Sequence, residues 1–147
     1  MNPFWINGYE LTKKLNLLPD EDFLLLGIVS QEKDYRLCFG INKKLETALK
    51  KEKDLEIMGG KLKDPSAFSV YQYDDPEGRC WNLIGNKGTG GWLVPEQKQM
   101  DYFLMLKGNF SKDDLGEIML QVRQVTSVQG AYEVDVKKLK SKQNLVF

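Results

Sequence analysis

Phe23-Leu24-Leu25-Leu26-Gly27-Ile28-Val29 is the longest apolar run in the chain. It is far too short to span a bilayer, but it suits a strand covered on both faces and therefore central in a sheet. Directly after it the period changes. From Asp34 onward Leu37, Cys38, Ile41, Leu45 and Leu49 recur at three- and four-residue intervals, while Arg36, Lys43, Glu46 and Lys50 fall elsewhere. That pattern predicts an amphipathic helix. Gly40 inside it costs about 1 kcal/mol against alanine, which marks it as a point where the helix approaches the sheet closely.

Further along, Leu55-Glu56-Ile57-Met58 reads as a short strand closed by Gly59-Gly60. Residues 67–73 and 80–84 are β-rich and separated by Asp74-Asp75-Pro76-Glu77-Gly78, the turn chemistry of a hairpin. A glycine-rich turn at 86–91 leads to Trp92-Leu93-Val94, expected as one more strand of an antiparallel meander. Residues 101–106 form a second buried strand. Ser111, with Asp114 three positions on, opens a capped helix whose face carries Leu115, Ile118, Met119, Val122 and Val125. Val128, Gly130, Tyr132, Val134 and Val136 then alternate as a half-exposed strand.

These elements predict an α+β fold, a two-layer sandwich with two main helices and a mostly antiparallel, mixed sheet of about five to seven strands. The mixed character is expected from a right-handed crossover in the final strand-helix-strand unit. The 147 residues fit a single domain, with a leader over 1–21 and a basic, solvated tail over 137–147. At that length folding buries roughly 68–70% of the unfolded surface, enough for a core without disulfides.

Lys plus Arg equals Asp plus Glu at 21 each, so the net charge gives no long-range pull toward DNA or an anionic membrane. Histidine is absent, which removes serine–histidine and cysteine–histidine nucleophile pairs and His-based zinc sites. Acid–base work would fall to carboxylates, lysine, tyrosine or a tuned thiol. Cys38 and Cys80 read as free thiols of a reducing cytosol, and the first residues lack the basic and apolar regions of a signal peptide. No residue pattern calls for a cofactor or metal.

The run Val94-Pro95-Glu96-Gln97-Lys98-Gln99-Met100-Asp101-Tyr102 gathers a rigid proline, two carboxylates and a phenol immediately before the second buried strand. It resembles the signature of the IPExxxVDY family, a bacterial family without assigned activity, with Val94 in place of the isoleucine and Met100 in place of the valine. The resemblance extends to Lys33-Asp34-Tyr35-Arg36-Leu37, Asn42-Lys43-Lys44-Leu45, Asp54-Leu55-Glu56-Ile57 and residues 140–147. It implies a family, not a mechanism.

Four residues are candidates for binding: Arg36, Glu96, Asp101 and Tyr102. Glu96 and Asp101 lie near the two ends of one loop, where they would serve as an acid–base pair, hold a hard cation, or simply receive backbone donors. Arg36 has a fork matched to a carboxylate or phosphate and is expected to reach Glu96 or Asp101 if the first helix packs beside the second buried strand. A surface arginine is the competing reading. The leading functional expectation is a small cytoplasmic, non-catalytic module that engages a protein partner or small ligand near residues 95–102. Three others stand beside it. One is a carboxylate-based hydrolase or isomerase using Glu96 and Asp101 with Arg36 on an anionic substrate. Another is an RNA-associated protein using Lys137, Lys138, Lys140 and Lys142. The last is a homodimer joined by sheet edges. Tyr71, Tyr73, Trp81 and Trp92 would form either a stacking wall or core filling.

Overall fold

A computed structural model describes residues 23–58 and 65–147; the leader over 1–21 lies outside the described residues. The architecture is α+β. Six strands run in the order β2-β5-β6-β7-β1-β8, and a separate two-stranded hairpin joins β3 to β4. The strands are β1 Phe23–Val29, β2 Lys50–Lys51, β3 Leu55–Ile57, β4 Ser66–Phe68, β5 Val70–Asp74, β6 Cys80–Gly85, β7 Tyr102–Lys107 and β8 Gly130–Val134. Two helices, α1 Asp34–Leu45 and α2 Lys112–Arg123, complete the list of long elements.

β1 lies between β7 and β8, and its side chains divide between two cores. Leu26 and Ile28 join the core beneath the helices, whereas Leu25 joins the core on the opposite face. That division is why the run is apolar at nearly every position. Every ladder is antiparallel. The mixed character expected from the β7-α2-β8 crossover does not arise, because β1 fills the slot between β7 and β8. Those two strands run in the same direction without touching.

The helix layer follows the sequence periods closely. Leu37, Cys38 and Ile41 of α1, and Leu115, Ile118 and Val122 of α2, are buried against Leu83, Leu104 and Leu106. Ser111 and Asp114 form the expected capping box at 3.0 and 2.9 Å. α1 stops at Glu46, whose φ of 57° is left-handed, so Leu49 is buried beyond the helix end and not on it. Gly40 serves a different approach from the one expected. A Cβ there would lie 2.9 Å from Cγ1 of Val125, so the glycine admits the chain leaving α2, not the sheet.

The second face is covered without long elements. Leu93, Val94, Met100, Leu139 and Leu145 pack on Leu25, Val70, Ile84, Phe103 and Met105. Two expectations fail here. Trp92-Leu93-Val94 is not a strand, because the backbone amides of Leu93 and Val94 donate to Asn86 and only one bridge, Lys87 to Trp92, forms. The tail over 137–147 is not wholly solvated. Two 3₁₀ turns, Val136–Lys138 and Lys142–Leu145, turn Leu139 and Leu145 into the core while most of the lysines face out. The expected run over 67–73 divides at Ser69, where β4 leaves to pair with β3.

Candidate functional site

The proline run is organised from within by Asn86, which is completely buried. Its Nδ2 donates to the carbonyls of Gln97 (3.0 Å) and Met100 (2.9 Å), and its Oδ1 accepts from the Val94 amide (2.8 Å). Pro95–Gln97 is a 3₁₀ turn that starts on proline, where the missing N–H costs nothing. Met100 then drops onto β1 at Gly27, where a Cβ would lie 2.6 Å from its sulfur. Only glycine leaves room for that thioether in the present packing.

The two carboxylates of the run face different partners. Glu96 accepts from the Ser141 amide and from the Ser141 hydroxyl, each at 2.8 Å, and so fastens the C-terminal tail. Burial pushes its carboxyl up, but hydrogen bonds from its own backbone and from Ser141 outweigh that and hold it below the usual range. Asp101 instead accepts from the Ser30 amide at 2.9 Å, just past β1. Tyr102 donates its hydroxyl to the Glu32 carbonyl at 2.5 Å. Burial first, then the charges of Asp34, Asp101 and Glu32, push this phenol up to about 12, which keeps it a neutral donor. The two carboxylates are thus bonded to different segments of the chain. Among the described residues no three His, Cys, Asp or Glu side chains are grouped to hold a metal ion.

Arg36 does not reach Glu96 or Asp101; among the described residues it forms no ion pair. It lies on the outer side of α1, along a groove of about 980 Å³ between that helix and residues 124–127. Tyr35 and Phe39, one turn apart, line the same groove and are 56% and 69% exposed. Lys43 and Lys44 continue it, and among the described residues Glu32 is its single carboxylate. Arg36 is in the first turn of α1, where a cation opposes the helix dipole at a cost of roughly 0.3–1 kcal/mol.

The proline run and the groove are joined through residues 30–32. Ser30 is buried, and its hydroxyl donates to the Ser127 carbonyl at 2.8 Å while Asp101 holds its amide. The Gln129 amide donates to the Val29 carbonyl at 2.8 Å. Asp101 and Tyr102 thus fix one wall of the groove, and Ser30 ties that wall to the other. Three of the four candidate residues belong to this assembly: Arg36 on the rim, Asp101 and Tyr102 behind it. Glu96 belongs to the tail. Sequence reasoning missed Phe39 and gave Tyr35 no role of its own beside Arg36, although both are apolar residues off the Leu37–Cys38–Ile41 stripe, which was a readable signal. It also missed Asn86, which had none.

The remaining candidates are occupied internally. In the glycine-rich turn the Gly88 and Gly90 amides donate to the Gly91 carbonyl and the Ser66 hydroxyl. Tyr71, Tyr73 and Trp81 pack into the helix-side core and form no stacking wall with Trp92. Cys38 is buried, and burial, then the Asp34 charge, push its thiol up to about 11 in spite of the Asn42 amide, which disfavours the thiolate. At the β8 edge the Arg123 guanidinium donates to the Ala131 carbonyl at 3.0 and 2.8 Å, and β2 at the other edge is two lysines long. Both features oppose edge-to-edge pairing. Compared with family models, with curated proteins and with solved structures, the chain matches none.

Proposed function

We propose that this chain is a non-catalytic binding module that takes a protein partner in the groove between α1 and residues 124–127. The observation that carries the reading is the pair Tyr35 and Phe39, large apolar side chains left in solvent on the helix face turned away from the core. Aromatic and arginine side chains around a concavity are the usual anchors of protein recognition. In this reading Asp101 and Tyr102 are positioning residues that hold residues 30–32 as the groove wall. The hydrolase or isomerase reading has less support, because Glu96 and Asp101 each already accept from their own partner. The lysine-tail reading is weakened by Leu139 and Leu145, which hold that segment against the sheet. We also take the chain to be a divergent member of the IPExxxVDY family acting in the cytoplasm, a reading supported by the quoted signature and by two free cysteines.

The test is affinity capture from a host lysate with wild type, a Tyr35→Ser/Phe39→Ser variant and a Lys138→Ser/Lys140→Ser tail variant, all with matched melting temperatures. A protein captured by wild type and the tail variant but lost with the groove variant is expected. Retention by the groove variant would refute the reading.

A further inference from the structure

We infer that the partner segment is an acidic amphipathic helix of about two to three turns. This rests on the groove reading above and adds the chemistry of the occupant. Among the described residues Arg36, Lys43 and Lys44 line the groove against the single carboxylate of Glu32. Among the described residues none of the three cations forms an ion pair. Lys43 and Lys44 answer the dipole at the end of α1, but Arg36 opposes it at the start. Among the described residues no anion answers Arg36, so its placement favours an anion brought to the rim. The rim therefore complements negative charge.

The apolar part sets the rest. Tyr35 and Phe39 are separated by four positions, and Val125 lies across the groove beside Gly40, where helix and turn come closest. From Tyr35 to Lys44 the helix rises about 14 Å, the length of roughly nine helical residues. An incoming helix with apolar residues three and four apart would lay that stripe on Tyr35 and Phe39. Its acids would then meet Arg36, Lys43 and Lys44 on the rim. A single-stranded nucleic acid fits less well, since three cations on a mainly apolar groove in a chain of zero net charge give a weak phosphate track.

The experiment is selection from displayed random peptides of about 15 residues, a length at which isolated helices begin to form, with the full chain as bait. Enriched peptides are expected to carry excess Asp and Glu and apolar residues at helical spacing. A synthetic copy of the leading peptide should bind wild type and weaken as salt rises. It should lose about tenfold or more on Arg36→Glu/Lys43→Glu, charges exposed enough to leave folding intact. Enrichment of neutral or basic peptides, no enrichment at all, or binding unchanged by charge reversal overturns the inference. So does displacement of the peptide from the groove by oligouridylate at lower concentration than the peptide itself. Neutral peptides that are lost on Phe39→Ser would leave the groove reading standing and remove only the acidic helix. Peptides unaffected by Phe39→Ser would remove both.

Discussion

The proline run over 94–102 and the outer face of α1 are both rich in polar and aromatic side chains, yet they differ in where those side chains are directed. In the run, Glu96, Asp101 and Tyr102 all bind another part of the same chain, and buried Asn86 holds the backbone between them. On α1, Tyr35, Arg36, Phe39, Lys43 and Lys44 line a groove, and among the described residues none of the three cations forms an ion pair. A dense polar motif is therefore weak evidence for a site, because internal hydrogen bonding uses the same residue types. Apolar residues on the wrong side of an amphipathic helix are stronger evidence, since folding has no use for them there.

That contrast is most exposed to test at Asn86. Replacing it with leucine would keep the side-chain branching but leave the Val94 amide and the Met100 carbonyl without partners, while the Gln97 carbonyl would keep only the Met100 amide. A loss of about 3–5 kcal/mol in urea unfolding is expected. A loss under about 1 kcal/mol would mean that the run is not organised from within. Phe39→Ser, by contrast, should change stability by no more than about 0.5 kcal/mol.

Acid sharpens the comparison, because only internally bonded carboxylates should govern stability. Asp75 in the β5–β6 turn accepts from the amides of Glu77 and Arg79, from Arg79 Nε and from the Trp81 indole. Burial pushes it up, but these donors outweigh burial and lower its pKa from 3.8 to about 2. A depressed folded pKa contributes stability that is present above about pH 4 and lost as pH falls through about 2. The amount is about 2 kcal/mol, and the side chain is only 6% exposed, so little of it is screened. Glu96 acts with the same sign, its stabilisation disappearing as pH falls below the ordinary 4.5. Its solvent exposure limits the effect to under about 1 kcal/mol. Unfolding measured across this range should show a steep acid limb that Asp75→Asn flattens and Glu96→Gln alters slightly. An unchanged limb in Asp75→Asn would contradict the assignment.

The smallest effect expected is the coupling between Arg36 and Asp101. A double-mutant cycle should give less than about 0.3–0.5 kcal/mol, the ordinary limit of additivity. A larger value would join the two regions through a direct charge contact that the structure lacks.

Strands, helices and caps were legible because they are written in neighbours. The 23–29 run, the 3.6-residue periods of α1 and α2 and the Ser111–Asp114 box depend on spacing along a few turns of chain. The same local reading placed Trp92-Leu93-Val94 in a strand, since nothing nearby shows that Asn86 will take the two amides. Arg36, Asp101 and Tyr102 could be named together as candidates, but the route that joins them could not. The link runs through Ser30 and Glu32, whose partners lie 71 and 70 positions away.

Composition, with no histidine and equal charge of both signs, already excluded several chemistries, and apolar spacing supplied the α+β class with its two helices. Strand order, the antiparallel sense of every ladder and the partner of each carboxylate came from packing. A carboxylate reads alike in the chain whether it will meet Ser141, Ser30 or solvent. The difference is made when the tail folds under the sheet and β1 enters between β7 and β8, bringing distant donors within 3 Å of their acceptors.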